Sequence, residues 1–404
     1  MKVGIVGCGV GGMAAALALA RAGHAVTLLE AFEAPRPLGS GLLLQPTGLA
    51  ALRALELDEQ VRAAGAVVGR LEGKDSRGRK VMDLDYNDWK PGGHGIGIHR
   101  GVLFQTLHDA LPGAGVELVT GAKIIRVENP ARPILHDDKG RVFGPFDLAV
   151  IADGAGSPLR SILRPKARAP VYPWGAVWTH VADPENRFGG ALRQVYHRAE
   201  VMVGALPVGR DPDGLSPTGL AMFWSVPVAG LDGFLAGDFA AWRDERLKPL
   251  WPDLAALLAQ RDDWSGFSRA LYRDVSVGRW NHGACTLLGD AAHGTSPQLG
   301  QGANLALVDA VELAERLGRD SRPVPVSISA SIGAWQADRR RHTALYQVAS
   351  KALTPLFQSH GGFWPTVRDW IFTPMSGLPG AKQVAARLLT GTLRLGRFPR
   401  VTRP

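Results

Sequence analysis

Val3-Gly4-Ile5-Val6 is a short apolar run with no polar face, the pattern of a strand buried on both sides. It leads directly into Gly7-Cys8-Gly9-Val10-Gly11-Gly12. A stretch rich in alanine and leucine follows from Met13 to Ala22 at helical spacing and stops at Gly23, as a helix should. Ala25 to Leu29 predicts a second buried strand with Glu30 at its end. Residues 34–48 read as a Pro/Gly-rich loop, and apolar spacing over roughly 49–64 predicts a helix. Leu71 to Val81 and Gly95 to Ile98 read as extended. Arg100 to Leu103 opens a helix with Leu103, Leu107 and Leu111 on one face, and Gly115 to Val127 suggests one or two strands. Phe146 to Ala152 is a further apolar strand, ending in Asp153-Gly154-Ala155-Gly156-Ser157-Pro158-Leu159-Arg160.

The pattern changes from about 165 to 275, where short strand-like runs recur at Pro173–Val181, Gln194–Val203 and Gly219–Val228. Of the 11 tryptophans only Trp89 precedes Trp174. Aromatic walls suit a planar apolar ligand, and they equally suit ordinary core packing. Cys285 to Leu288 predicts another strand, followed by Gly289-Asp290-Ala291-Ala292-His293. Gly300-Gln301-Gly302-Ala303-Asn304 opens a long helix to about Arg316, with Leu305, Val308, Val311, Leu313 and Leu317 among its apolar positions. Residues 325–404 read as helices with loops, including Leu353 to Gln358 and Val384 to Leu395. The expected fold class is α/β. A Rossmann-like dinucleotide-binding domain takes 1–70, 97–164 and 276–324. An inserted α+β substrate domain on a mostly antiparallel sheet takes 71–96 and 165–275, with a C-terminal helical segment over 325–404.

A chain of 404 residues suits two domains. Hydrophobic residues at 46% and charged residues at 21% are ordinary globular usage, which excludes a disordered chain. The net charge of +9 suits an anionic ligand. The positive charges are scattered except near the end, where Lys382, Arg387, Arg394, Arg397, Arg400 and Arg403 meet no acid after Asp369. Cys8 and Cys285 are the two cysteines, and neither has a neighbour at metal-ligand spacing. No metal site and no disulfide framework are therefore expected. With no secretory leader and no apolar run long enough to cross a membrane, the expected location is the cytoplasm.

Each residue of the first motif has a physical task. Gly7 permits a tight turn, Gly9 lets the backbone approach a pyrophosphate, and Gly12 lets helix and strand pack closely. The helix N-terminus offers free N–H groups and partial positive charge to phosphates. Glu30 falls about 20 residues past the glycines, where the fingerprint places an acid for a ribose. These features point to a dinucleotide and leave FAD and NAD both open. Arg100 at a helix start reads either as a phosphate or flavin contact or as a surface arginine. Asp153-Gly154 after an apolar strand reads as a ligand-facing loop, because open α/β sheets bind at the carboxyl ends of their strands.

Three motifs in this order resemble the class A flavoprotein monooxygenases, the family of para-hydroxybenzoate hydroxylase. They are Gly7-x-Gly9-x-x-Gly12 with Glu30, then Asp153-Gly154 with Ser157 and Arg160, then Gly289-Asp290-Ala291-Ala292-His293. The last continues as Pro297-x-x-Gly300-Gln301-Gly302-x-Asn304-x-x-x-x-Asp309-Ala310, and the resemblance spans roughly residues 1–350. It implies FAD in the glycine-rich site and NADPH or NADH as co-substrate. It also implies Glu30 on the adenosine ribose, Arg100 near flavin and pyrophosphate, and Asp290 after Gly289 on the ribityl or pyrophosphate side. The Asp153 loop is implied for both FAD and the nicotinamide donor. Gly300, Gly302 and Asn304 would bring a helix N-terminus to the flavin, where reduction builds negative charge. The implied reaction is hydroxylation of an aromatic or conjugated molecule by dioxygen through a C4a-hydroperoxyflavin.

The resemblance implies that Pro297 and Gln298 shape the substrate pocket, although the family's Pro pair after the His is replaced here by Thr295-Ser296-Pro297-Gln298. An arginine often found before Gly41 is not clearly matched, Arg36 being nearest. His180, Tyr172, Tyr196, His197 and Tyr272 are candidates for a substrate base, and none is assigned. The expected partners are dioxygen and an aromatic or quinone-like molecule, with no nucleic acid. Phe363-Trp364, Trp370-Ile371-Phe372 and the basic tail read either as weak membrane-surface contact or as a helical lid. Alternative functions are a flavin-dependent dehydrogenase or reductase of the prenyl-chain reductase kind, a halogenase, and a non-catalytic FAD-fold binding protein. Trp224-Ser225-Val226-Pro227 lacks the halogenase's paired tryptophans.

Overall fold

The computed structural model describes residues 1–35, 39–164, 166–210, 216–318, 324–361, 363–375 and 380–394. Arg36, Arg397, Arg400 and Arg403 lie outside these.

The apolar runs that open the chain assemble into a six-stranded sheet. Its order is Asn281–His282, Cys285–Leu287, Leu148–Ile151, Lys2–Val6, Ala25–Leu29 and Glu117–Val119. All pairs are parallel except the first. Parallel strands covered on both faces need unbroken apolar sequence, and Leu148–Ile151 is buried at every position. The helices Val10–Arg21 and Gly302–Gly318 pack against one another beside it, contributing Met13, Leu17, Leu307 and Val311 to its core. This is the Rossmann-like half. Its strand ends point toward the glycine-rich turn.

The second sheet has nine strands. Along its main path run Ser268–Ala270, Trp174–Ala182, Gly219–Pro227, Val201–Gly209, Gly190–His197, Ala66–Asp75, Gly95–His99 and Gly41–Leu44, while Lys80–Asp85 also pairs with Ala66–Asp75. Only the pairing of Gly190–His197 with Ala66–Asp75 is parallel. The sheet thus draws on Gly41–Leu44 and on residues to both sides of position 70. Its two faces alternate as strand geometry requires. Val177, Val181, Met222, Trp224 and Val226 face a helical layer that supplies Phe239, Trp242 and Leu254. Ala176, Met202, Phe223 and Tyr196 face the other way, beneath Leu356 and Phe357 of the long helix Val324–Phe357.

Two expectations are corrected. The helix foreseen over 49–64 is two helices, Pro46–Ala54 and Asp58–Ala64, separated where Glu56 adopts φ 52°. A left-handed residue cannot continue a right-handed helix. The run Gln194–Val203 is no single strand but the close of one and the start of the next, turning at Arg198 with φ 55°. Aromatic walls also prove to be largely core: Trp224 meets Trp242 edge to face at 5.2 Å, and Trp242 lies 4.9 Å from Trp264. Among the described residues no helix is long and apolar enough to cross a membrane.

Candidate functional site

A cavity of about 540 Å³ opens at the carboxyl ends of Lys2–Val6, Ala25–Leu29 and Leu148–Ile151. Its walls include Gly7, Gly9, Glu30, Arg100, Asp153, Gly289 and Asp290. Residues distant in the chain are thus gathered around one space. Ala303 and Ala306 complete that wall from the Gly302–Gly318 helix.

The glycine-rich turn shows why each glycine is there. Gly7 has φ 101°, and a Cβ on it would stand 2.6 Å from the Ala152 carbonyl oxygen. A Cβ on Gly12 would stand 1.9 Å from the Gly7 carbonyl oxygen. Gly9 has nothing within 4 Å on its Cβ side, so there the backbone is bare to the cavity. Gly9 also caps the Val10–Arg21 helix without any side-chain hydrogen bond to its first N–H groups. Such a helix end is free to bind an anion. Glu30 is buried; its Oε2 accepts from Cys8 N (2.7 Å) and its Oε1 from Phe32 N (2.9 Å). An ionised carboxylate has about four acceptor positions, so two are left for ribose hydroxyls.

Asp153 Oδ1 is buried with no hydrogen-bond partner among the described residues. Burial pushes this carboxyl up to about 6, against the opposing pull of Ser157 and Arg160. The neighbouring motif residues hold the loop. Ser157 Oγ accepts from Arg160 N (2.9 Å), and the buried Arg160 donates to Ala155 O (2.8 Å) and Ala291 O (3.2 Å). Arg160 therefore ties the Asp153 loop to the Asp290–His293 turn.

Gly289 sits at φ 60°, ψ −138°, and turns the chain so that Asp290 is exposed to the cavity. Gly302 follows closely: a Cβ there would lie 3.6 Å from Asp290 Oδ1. Gly300 takes the left-handed conformation at φ 59°. Asn304 is fully buried, and its side chain accepts from Gln45 N (2.8 Å) and donates to Leu43 O (3.1 Å) and Gly300 O (3.2 Å). It fixes the loop rather than lining the cavity. Arg100 begins the Arg100–Gly113 helix, its N–H held by Ser40 O at 2.7 Å, and its side chain crosses Gly39, where a Cβ would meet Nη1 at 2.9 Å.

Arg100 of the cavity wall acts electrostatically on Tyr272, which meets the aromatic side of the second sheet. Trp178 and Phe223 lie 4.7 Å apart, and Trp178 Nε1 donates to the Tyr272 hydroxyl at 3.3 Å. The Tyr172 hydroxyl (3.2 Å) and Gln298 Nε2 (2.5 Å) both donate to Gln358 Oε1. Pro297 and Gln298 form a short 3₁₀ turn against the long helix. Of the candidate bases, Tyr196 is buried beneath the Arg368 guanidinium, 5.3 Å from its ring, and burial pushes its hydroxyl far up. His197 is exposed, and the His180 ring lies 5.0 Å from that of His99.

Asp309 belongs to the third motif, where its position alone gives it no evident task. Its Oδ2 accepts from Gly289 N (3.1 Å) and His293 Nε2 (2.6 Å), and Arg339 Nε reaches Oδ1 at 2.6 Å. Burial pushes this carboxyl up, but His293 and Arg339 outweigh it and hold it down at about 2. Arg339 carries no motif signal of its own. Lys123, also in the cavity wall, was missed for the same reason.

The bare Gly9 backbone, the uncapped helix end, the spare acceptors of Glu30 and the orphaned Asp153 oxygen together fit a dinucleotide with a pyrophosphate. The comparisons agree. The FAD binding domain family matches residues 1–94 and 146–322. The chain is 28% identical to the aurachin C monooxygenase/isomerase of Stigmatella aurantiaca over 386 residues, 93% of this chain and 96% of that one. It is 30% identical to the 2-heptyl-3-hydroxy-4(1H)-quinolone synthase of Mycobacteroides abscessus over 330 residues, 77% of this chain and 80% of that one. Klebsiella pneumoniae HpxO, solved with FAD and uric acid, superposes with a TM-score of 0.78 at 21% identity, covering 97% of this chain and 96% of that one. This chain belongs to the FAD-binding family of flavin-dependent monooxygenases, and FAD is its cofactor.

Proposed function

We propose that this enzyme uses NADPH or NADH and dioxygen to hydroxylate a planar aromatic or conjugated small molecule, of the quinolone kind named in its relative. The observation that carries this reading is that Arg100 of the cavity wall acts electrostatically on the Tyr272 hydroxyl, which links two features. One is the dinucleotide cavity with the Asp290 turn. The other is the half-buried Trp178 ring, backed by the buried Phe223 and hydrogen-bonded to Tyr272. A planar apolar molecule stacks on such a face, and a few polar groups orient it.

FAD, when bound, accepts a hydride from the nicotinamide and activates dioxygen for transfer to the ring. The chain's own residues do the rest. Gly7 and Gly9 admit the pyrophosphate to the helix N-terminus, and Glu30 accepts from the ribose. Arg100, Asp153 and Asp290, all in the cavity wall, would hold the phosphate and ribityl parts of the cofactor. Gly300 and Gly302 let the N-terminus of the Gly302–Gly318 helix approach the flavin, and Asn304 keeps that approach rigid through its bonds to Gln45, Leu43 and Gly300. Pro297 and Gln298, braced on Gln358, bound the substrate and help exclude water. The Tyr272 hydroxyl accepts from Trp178, so its own proton is available to a substrate oxygen. Contact with a lipid surface is supported by Phe363 and Trp370, 70% and 80% exposed on the Phe363–Met375 helix.

The test is the visible spectrum of the purified protein under anaerobic NADPH or NADH, with a panel of quinolones, phenols and quinone precursors. One compound should accelerate bleaching. Product formed under ¹⁸O₂ should carry one labelled oxygen. Reduction without incorporation of label would transfer the reading to a dehydrogenase or reductase.

A further inference from the structure

Residues 390–394, which follow the Ala381–Leu389 helix, are bound to the interior by polar contacts. The Gly391 carbonyl accepts from His342 Nε2 (3.1 Å), and the Leu393 carbonyl accepts from the Tyr346 hydroxyl (3.2 Å). Arg394 forks onto Glu312 with Nη1–Oε1 at 2.8 Å and Nη2–Oε2 at 3.2 Å, and both side chains are almost wholly buried. Buried bidentate pairs fix geometry as well as charge. The strap Leu389–Arg394 is therefore joined to the Gly302–Gly318 helix through Glu312 and to the long helix through His342 and Tyr346.

Two routes lead from this strap to the flavin motifs. The first is direct: Gln301, between Gly300 and Gly302, donates from Nε2 to the Leu389 carbonyl, and Thr47 donates to the Thr390 carbonyl at 3.3 Å. The second is ionic. Arg339 stands between His342, to whose Nδ1 it donates at 2.8 Å, and Asp309, which it meets at 2.6 Å; Glu312 lies 3.7 Å from it. His342 accepts at one ring nitrogen and donates at the other, so it is the neutral imidazole. Asp309 then holds Gly289 N and His293, the two ends of the turn that presents Asp290. Buried charges in such a chain are satisfied by each other, so a change at one member is felt at the next.

We propose that the strap Leu389–Arg394 is a positioning part of the flavin site, acting through Arg339 and Asp309 on the Gly289–Asp290 turn and through Gln301 on the Gly300–Gly302 loop. None of these residues needs to touch the cofactor. They set where the residues that do touch it stand, as outer-shell partners do around other cofactors.

The test uses the full-length protein, stripped of flavin and titrated with FAD, reading the dissociation constant by flavin fluorescence and the flavin's visible absorption bands. Arg394→Gln removes the fork onto Glu312 and should raise the FAD dissociation constant by about tenfold and shift the bands, with partial recovery in Arg394→Lys. Trp370→Ala, on the exposed face of another helix, is the control and should match wild type. A folded Arg394→Gln protein with wild-type bands, binding FAD within about twofold of wild type, overturns the proposal. If Arg394→Gln fails to fold, Tyr346→Phe, which deletes one hydroxyl, gives the same comparison: weaker FAD binding supports the strap's role, and unchanged binding overturns it.

Discussion

Gly12 is packed so closely on Gly7 that a Cβ on the former would stand 1.9 Å from the carbonyl oxygen of the latter. Gly9, midway between them in the same motif, faces open space. The two glycines are therefore needed for different reasons and should fail differently. Gly12→Ala forces the helix away from the strand and should lower both apoprotein stability and FAD binding. Gly9→Ala meets no protein atom; it should leave the apoprotein melting temperature within ~2 °C and weaken FAD by about tenfold or more. Thermal melts without FAD, set beside flavin titrations, separate the cases. Equal loss of stability in both variants would refute the distinction.

The raised carboxyl of Asp153 predicts a pH dependence with a definite sign. Its folded value, about 6, lies above the unfolded one near 3.8, so between these the native state holds more protons than the unfolded state. Stability contributed by this group is then highest below the unfolded value and falls as pH rises toward 6. Asp153→Asn never ionises. Relative to wild type, the apoprotein variant should be more stable at pH 7 than at pH 4. A wild-type-to-variant difference that is the same at both pH values would contradict the burial argument.

Tyr272 accepts from Trp178 and feels the charge of Arg100 in the cavity wall. Tyr272→Phe removes the hydroxyl and keeps the ring. Under the proposed function it should lower kcat/KM by about 10–100-fold and leave FAD affinity unchanged. Steady-state kinetics on whichever compound accelerates flavin reduction provide the check; an unaltered kcat/KM would remove Tyr272 from substrate recognition.

Trp224 is 2% exposed on the opposite face of the same sheet, against Trp242. Trp224→Ala should cost about 3–5 kcal/mol of stability through the cavity it leaves. Because it faces away from the site, the folded fraction should bind FAD normally. Denaturant unfolding followed by flavin titration reads both.

Legibility in the sequence follows how local each requirement is. Gly7 at φ 101° and Gly289 at φ 60° have backbone conformations that side chains resist, so the residue type itself records the turn. Strand, glycines, helix and acid lie within the first 30 residues, and their order alone placed the dinucleotide site. The hairpin at Arg198 was unreadable because its turn, His197-Arg198-Ala199-Glu200, contains none of the glycine, proline, asparagine or aspartate that usually mark one. The break at Glu56 was hidden likewise, since apolar spacing continues on either side of it.

What the sequence by itself determined is the Rossmann-like half, the flavin family and the motif residues Gly7, Gly9, Glu30, Asp153, Gly289 and Asp290 that meet at the cavity. These depend on short-range geometry, and short-range geometry is written in glycines, apolar runs and their spacing. Tertiary structure alone decided which buried charges meet. Asp309, Arg339, Glu312 and Arg394 lie on three segments, and no local pattern links them. A buried charge requires a partner but does not specify where in the chain that partner lies. Packing of the two long helices and the strap supplies the distance, and with it the polar network behind the Asp290 turn.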